Sequence, residues 1–272
     1  MSTHRVCAVE HILPTCASSC ALTPALLRPI AFAAPRPRYT LTVYGRTLLI
    51  PAKPDVERDA VAHAFEHRGG GVQRLDRFWE VAPTPGAVVY GPDTFALVVA
   101  EQLGVTLVSP ADDLLARAPA DALRRDVTLA SLDHALCGPW PRFVKPVVPK
   151  QFRAGVWADA ASLAHETRGL PSDTAVLCSE VVHFANEVRA FILDRSVRTA
   201  ACYEGEGDVD AATRALIAML PSLELPTACV LDIGYIEGRG WALIEANAAW
   251  GAGLNGCDAT RAVEVIARAT LS

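Results

Sequence analysis

Apolar and polar positions fall in short blocks along the chain, and each block has the period of one secondary element. Residues 39–44 and 47–50 are β-prone runs around Gly45. Residues 54–67 carry the helical period: Val56, Ala60, Ala64 and His67 share one face, with Asp55, Glu57, Arg58 and Asp59 opposite. Gly69-Gly70-Gly71 ends that helix. Strands are predicted at 72–75 and 86–90, and an apolar helix over 92–103, with Asp93 in its first turn and Gly104 just past its end. Residues 105–108 read as a further strand. This alternation predicts a small three-layer α/β unit with a mainly parallel sheet. The glycine triplet follows a helix rather than preceding one, and no G-K-[ST] follows it, so it is no phosphate loop. This unit carries no G-x-G-x-x-G fingerprint, so a dinucleotide site is not supported in it.

Beyond residue 110 the pattern predicts a helix over 110–117, a second from Pro119 through Leu123, Arg124 and Arg125, and a short helix over 126–135. Pro139-Trp140-Pro141 reads as a linker. Strands follow at 143–145 and 154–157, then a short helix over 162–168. Residues 174–182 form an apolar strand broken only by Ser179-Glu180. Along 187–193, Glu187, Arg189 and Phe191 alternate with Val188, Ala190 and Ile192. A strand returns over 197–203, an acidic glycine-containing loop covers 204–210, and helices span 211–220 and 258–270. Between those helices lies a hairpin. Residues 230–236 and 241–246 are its strands, and Glu237-Gly238-Arg239-Gly240 is its connection.

The chain has 272 residues, 51% of them hydrophobic and 20% charged, which suits a globular fold with a substantial core. A net charge of −5 leaves no basic excess for a nucleic-acid backbone. No apolar run is long enough to span a bilayer without a charge or proline. Eight cysteines, none in a C-x-x-C pair, suit reduced thiols in a cytoplasmic protein. Cys7, Cys16, Cys20, His4 and His11 match no common zinc spacing. Residues 1–38 lack periodicity and are expected to be a poorly ordered extension.

The chemistry gathers at the hairpin. Glu245 and Asn247 are two apart on an extended segment, so their side chains share a face. Asp232 can meet them across the ladder. Two carboxylates and an amide oxygen suit Mg²⁺. The small-residue stretch after Asn247 lets backbone approach a ligand closely. Upstream, Lys145, Lys150 and Arg189 can bind phosphate oxygens. Glu180 enters a hinge-like connection, where an apolar cleft with exposed backbone and one carboxylate suits a purine and its ribose.

The runs F-V-K-P (143–146), K-Q-F (150–152), S-E-V-V (179–182), E-V-R (187–189), L-D-I-G (231–234) and L-I-E-A-N (243–247) resemble the ATP-grasp superfamily. Over residues 86–257 the chain resembles the ATP-grasp clade named for one arginine and two lysines. The resemblance implies a small Rossmann-like α/β domain at 39–110, then a two-lobed ATP-grasp domain at 111–272. Its small lobe would cover about 120–182 and its large lobe about 183–272. Lys145 would contact the α- and β-phosphates, and Lys150 would sit on the loop covering them. Glu180 would bind the ribose, with backbone at Val181 and Val182 pairing with adenine. Arg189 would reach the transferred phosphate, with Glu187 orienting it or the second lysine. Asp232, Glu245 and Asn247 would hold Mg²⁺. Arg125 or Arg124 would be the clade arginine, and the 250–253 loop would lie near the acceptor. No glycine-rich phosphate lid is present, which departs from the family pattern.

The expected activity is that of an ATP-dependent ligase joining a carboxylate to an amine through an acyl phosphate. ATP and Mg²⁺ are the expected cofactors, and the substrates are expected to be amino acids or peptides. A homodimer is an open option. The rival readings are a non-catalytic ATP-binding protein and a small-molecule phosphotransferase on the same fold.

Overall fold

The computed structural model describes residues 43–272. The expected extension at 1–38, its cysteine and histidine residues, and positions 39–42 of the first β-prone run lie outside these. Val43 and Tyr44 belong to a turn rather than a strand.

In chain order the first elements are β1 (Thr47–Pro51), α1 (Val56–His67), β2 (Gly71–Leu75), β3 (Ala87–Val89), α2 (Asp93–Leu103) and β4 (Thr106–Leu107). β1 lies between β2 and β3 and is parallel to both. The Asp55 side chain caps α1 by accepting from the Arg58 N–H. Gly70 allows a close approach just past the helix, because a Cβ there would lie 2.2 Å from the Phe65 ring.

Two expectations change here. The buried face of α1 is Val61, Ala62, Ala64 and Phe65, while Val56 is 87% exposed and His67 is exposed. Ala60 is exposed as well, so of the expected face only Ala64 is buried, and the stripe that packs is rotated toward Val61 and Phe65. β4 also stands outside the parallel sheet. It pairs antiparallel with the last strand, β13 (Thr270–Leu271).

Next come α3 (Leu114–Arg117), α4 (Ala120–Leu123), β5 (Val127–Ser131), α5 (Leu132–Leu136), β6 (Arg142–Pro146), β7 (Gly155–Trp157), α6 (Ala160–Glu166) and β8 (Ala175–Ser179). They build an antiparallel sheet of order β5-β8-β6-β7 over a core of Leu132, Val144, Leu163, Val176 and Cys178. β5 corrects the first half of the short helix expected over 126–135, and α5 supplies a helix in the second half. The β5 residues Val127-Thr128-Leu129-Ala130-Ser131 pair residue for residue with β8, so sheet pairing overrides weak helical propensity.

The remaining sheet has the order β10-β9-β11-β12 and is antiparallel throughout. Its strands are β9 (Phe184–Leu193), β10 (Ser196–Glu204), β11 (Ala228–Ile236) and β12 (Gly240–Asn247). One face packs Val188, Ala190, Ile192, Leu231 and Ile233 against Ala212 and Leu216 of α7 (Val209–Met219). The other face changes character along its length. Phe191, Leu193 and Val230 pack in the core that includes α8 (Ala259–Arg268) and the parallel sheet. Arg189 and Asp232, further along the same strands, are polar. Arg46, just before β1, ties the ends of this core together. Its guanidinium donates to the Ala267 carbonyl at 2.6 Å and to the Ala87 and Thr270 carbonyls. Among the described residues no helix is long and apolar enough to cross a membrane.

Candidate active site

The hairpin forms as the alternation predicts, and its register decides the site. Arg189, Asp232 and Glu245 stand opposite one another on β9, β11 and β12, forming a polar row across three strands. A β-bulge sits beside this row, because Asp232 pairs with Glu245 while Ile233 pairs with Leu243. Ile244 is the extra residue. It lets Trp241, Leu243 and Ala246 all join the α7-side core while Glu245 and Asn247 turn to the Asp232 face.

Asp232 is 1% exposed and could not remain a bare carboxylate there. Arg189 clamps it, with Nε donating to Oδ1 at 2.8 Å and Nη2 donating to Oδ2 at 2.7 Å. The third contact of Arg189 is Nη1 to the Gly253 carbonyl, 3.0 Å. Burial pushes the Asp232 carboxyl up, Arg189 pulls it back, and Glu245 pushes it up again, so it rests above the usual range. Burial alone would lower Arg189, but Asp232 outweighs it and the guanidinium is held above its ordinary value. Asn247 Nδ2 donates to Glu245 Oε1 at 2.8 Å and to Asp232 Oδ2 at 3.4 Å.

These residues fit Mg²⁺. Two carboxylates share one neutralising guanidinium, and the burial and neighbouring Glu245 that raise Asp232 disfavour a charge that a divalent cation would stabilise. With the amide of Asn247 reversed, its oxygen would join them. Among the described residues no three His, Cys, Asp or Glu side chains gather as a metal set, so a metal held here would need the amide oxygen as its third donor.

A cleft adjoins this row. At one end a cavity of about 140 Å³ is lined by Arg125, Phe143, Lys145, Leu177, Glu180, Val181, Val182, Phe184 and Glu245, among others. At the other a larger space of about 580 Å³ is lined by Asp93, Lys145, Lys150, Phe152, Glu245, Asn247 and Trp250, among others. Lys145 and Glu245 border both. Val181 and Val182 lie between β8 and β9, outside any ladder.

Of the residues singled out from sequence, Asp232, Glu245, Asn247 and Arg189 therefore come together, and Lys145, Glu180, Val181 and Val182 line the adjoining cavity. Lys150 borders the larger space. Its Nζ is 2.6 Å from Asp93 Oδ2, and its backbone is left-handed with φ 69°. Glu187 accepts from the Tyr203 hydroxyl, and Tyr203 presents its ring to the Arg189 guanidinium at 5.7 Å. Burial and Glu187 push that phenol far above its ordinary range, so it stays a donor. Arg125, rather than Arg124, lines the cavity. It donates to the Leu243 carbonyl at 2.7 Å and the Ile244 carbonyl at 3.4 Å, and burial lowers it to about 10. Arg124 is the exposed left-handed residue that ends α4.

Three partners escape sequence reasoning. Arg239, in the hairpin turn, holds both Glu180 oxygens at 2.6 and 3.0 Å. That contact pulls Glu180 below the usual carboxylate range. Tyr203 and Asp93 are the others. No motif marks them, since each meets its partner only through tertiary packing.

The model of an ATP-grasp domain family, the second family of the clade named for one arginine and two lysines, matches residues 123–265, more than half of the chain. The chain belongs to this family. The ATP-grasp protein's fold is similar to a RimK domain ATP-grasp protein from Sphaerobacter thermophilus, with TM-score 0.53, 17% identity, and 82% and 98% of the two chains covered. It is similar to the D-cycloserine synthetase DcsG, with TM-score 0.53, 16% identity, and 82% and 99% covered. It is also similar to N5-carboxyaminoimidazole synthase from Aspergillus clavatus, with TM-score 0.52, 10% identity, and 82% and 77% covered. At these identities the likeness is one of fold. No curated protein sequence matches the chain.

Proposed function

We propose that this ATP-grasp protein is an ATP-dependent ligase that joins a carboxylate to an amine, with an amino acid or peptide as substrate. The observation that carries the reading is the polar row Arg189–Asp232–Glu245, extended by Asn247, beside a cleft bordered by Lys145. An adenine would enter the smaller cavity and pair with backbone at Val181 and Val182, and Glu180 would accept from the ribose. Lys145 would meet the α- and β-phosphates, and Lys150 would cover them after exchanging Asp93 for phosphate. Asp232, Glu245 and Asn247 would hold Mg²⁺, which, when bound, supplies charge neutralisation on the phosphates. Residues 39–110 would serve as the pre-ATP-grasp unit, with the small lobe near 120–182 and the large lobe near 183–272.

The chemistry needs no side-chain nucleophile. An oxygen of the substrate carboxylate forms a bond to the γ-phosphorus as the β–γ bridging P–O bond breaks, giving an acyl phosphate and ADP. The amine nitrogen then bonds to the acyl carbon as its C–O bond to phosphate breaks. Phosphate leaves and the nitrogen gives up a proton. The protein contributes alignment, and Arg189 and the lysines offset negative charge on the group in transfer.

Titration calorimetry of ATP with Mg²⁺ into wild type and Glu245→Ala tests the reading, followed by a screen of amino acids and peptides for ADP release. Mg²⁺-dependent binding that weakens in the variant, with acceptor-dependent ADP release, is the expected result. A folded wild type that binds no ATP would remove the reading. A stable phosphorylated product would replace it with a phosphotransferase, and binding without turnover across the screen would replace it with a non-catalytic nucleotide-binding protein.

A further inference from the structure

Glu57 lies in the first turn of α1, far in sequence from the polar row. Its carboxylate is bonded at both oxygens to backbone of the loop that follows β12. Leu254 N–H donates to Oε2 at 2.9 Å and Asn255 N–H donates to Oε1 at 2.7 Å. Packing at this point is tight, since a Cβ on Gly253 would lie 2.5 Å from Glu57 Oε2. The same loop is held a few residues earlier. The buried Tyr90 hydroxyl donates to the Ala252 carbonyl at 2.9 Å, and Gly91 N–H donates to the Trp250 carbonyl at 2.9 Å. Burial and the charge of Glu57 push the Tyr90 phenol well above its ordinary range, so it remains a donor.

Between these anchors sits the Gly253 carbonyl, the third acceptor of Arg189. The two bonds to Asp232 use Nε and Nη2 and set the plane of the rigid guanidinium, and the Gly253 carbonyl is the contact that occupies Nη1. A guanidinium has five N–H donors, so two remain for an incoming anion.

We propose that Glu57 is a positioning residue for Arg189. By fixing the Leu254 N–H it fixes the Gly253 carbonyl in the same peptide plane, and that carbonyl holds the guanidinium in the orientation the Asp232 clamp sets. A carboxylate suits this role because two charge-assisted bonds to adjacent backbone N–H groups hold a loop without a regular ladder. An element of the N-terminal α/β region thereby sets the geometry at the phosphate end of the ATP-grasp site. The inference rests on the reading in which Arg189 meets the transferred phosphate.

The test compares ATP with AMP, each with Mg²⁺, by titration calorimetry on the full chain. AMP lacks the β- and γ-phosphates and so reports the adenine and ribose end alone. In Glu57→Ala, ATP affinity should fall by about tenfold, the scale of one lost charge-assisted contact, while AMP affinity stays within about twofold. Glu57→Gln keeps an acceptor oxygen for one of the two amides and should lie between. It carries the same comparison should the alanine variant fail to fold. Unchanged ATP affinity overturns the inference. Equal losses for ATP and AMP overturn it too, because they would mark a general effect on the fold. If wild type binds no ATP, the ligase reading falls, and a crystal structure of the Glu57 variant decides this inference by itself. An Arg189–Gly253 contact kept as in wild type overturns it, and a broken contact with Arg189 reoriented supports it.

Discussion

The two ends of the cleft are built in opposite ways. At the row end, Asp232 is buried, clamped by a bidentate guanidinium and seated on three paired strands. At the cavity end, Glu180 is exposed, sits past the last paired residue of β8, and is held by an exposed arginine from a turn. Buried charge must be compensated inside the protein, whereas exposed charge has water as an alternative partner. The row is therefore costly to disturb and geometrically fixed, while the cavity end can exchange one partner for another. Under the proposed function this suits the two tasks, because a transferring phosphate needs fixed donors and a ribose needs only an acceptor.

Removing Arg189 should give the largest effect. Arg189→Met leaves Asp232 buried without its counter-charge, at a cost of about 3–5 kcal/mol in denaturant unfolding. A loss below about 1 kcal/mol would place Asp232 with the exposed charges instead. The pH dependence gives a sharper version. The Asp232 carboxyl is already raised by burial, and losing Arg189 raises it further. A carboxyl raised in the folded state binds protons more readily folded than unfolded, so stability from this group is lost as pH rises through the window between the two values. The gap between variant and wild type should thus narrow as pH falls from about 7 to about 5. A gap that widens on acidification would contradict the assignment.

Arg125 lies between the extremes. It is half-buried and bonds to the Leu243 and Ile244 carbonyls at the bulge. Arg125→Met should cost about 1.5–3 kcal/mol, the range for bonds to a charged group, and loosen the bulge. Hydrogen exchange at Ile244 and Glu245 reads the second effect. Arg239→Ala should matter least for stability, leaving the denaturation midpoint unchanged within error. Its effect should fall on recognition, as a smaller preference for ATP over 2′-deoxy-ATP, because Glu180 loses the group that orients it.

The same contrast explains what can be read from sequence. The hairpin is legible because residues 230–247 alternate around a glycine-containing turn and carry three oxygen-bearing side chains, Asp232, Glu245 and Asn247, at fixed spacing. Arg189 stands out because it interrupts an apolar alternation. The bulge at Ile244 is not legible, since one extra residue leaves no local mark. β5 is hidden because its five residues become a strand only by pairing with β8, some 50 residues on. Arg239, Tyr203 and Glu57 are ordinary polar residues in their local windows. Glu57 reads merely as part of the polar face of α1, yet that face meets the loop after β12, 197 residues away. The stripe of α1 that packs is rotated from its expected place, because Val61 and Phe65 rather than Val56 and Ala60 face the core.

The core shared by the parallel sheet and α8 also bears on how the chain is made. Val88, Val89 and Phe65, near its beginning, pack in one cluster with Val263, Ile266 and Ala267. Arg46 and β4 both bond to the stretch just beyond. On the ribosome, β1 to β3 therefore emerge with their partner helix still unmade. Until residues as far as Leu271 are released, the apolar surface meant for α8 stays open to water or to a chaperone. α8 is thus made long after the sheet whose core it closes.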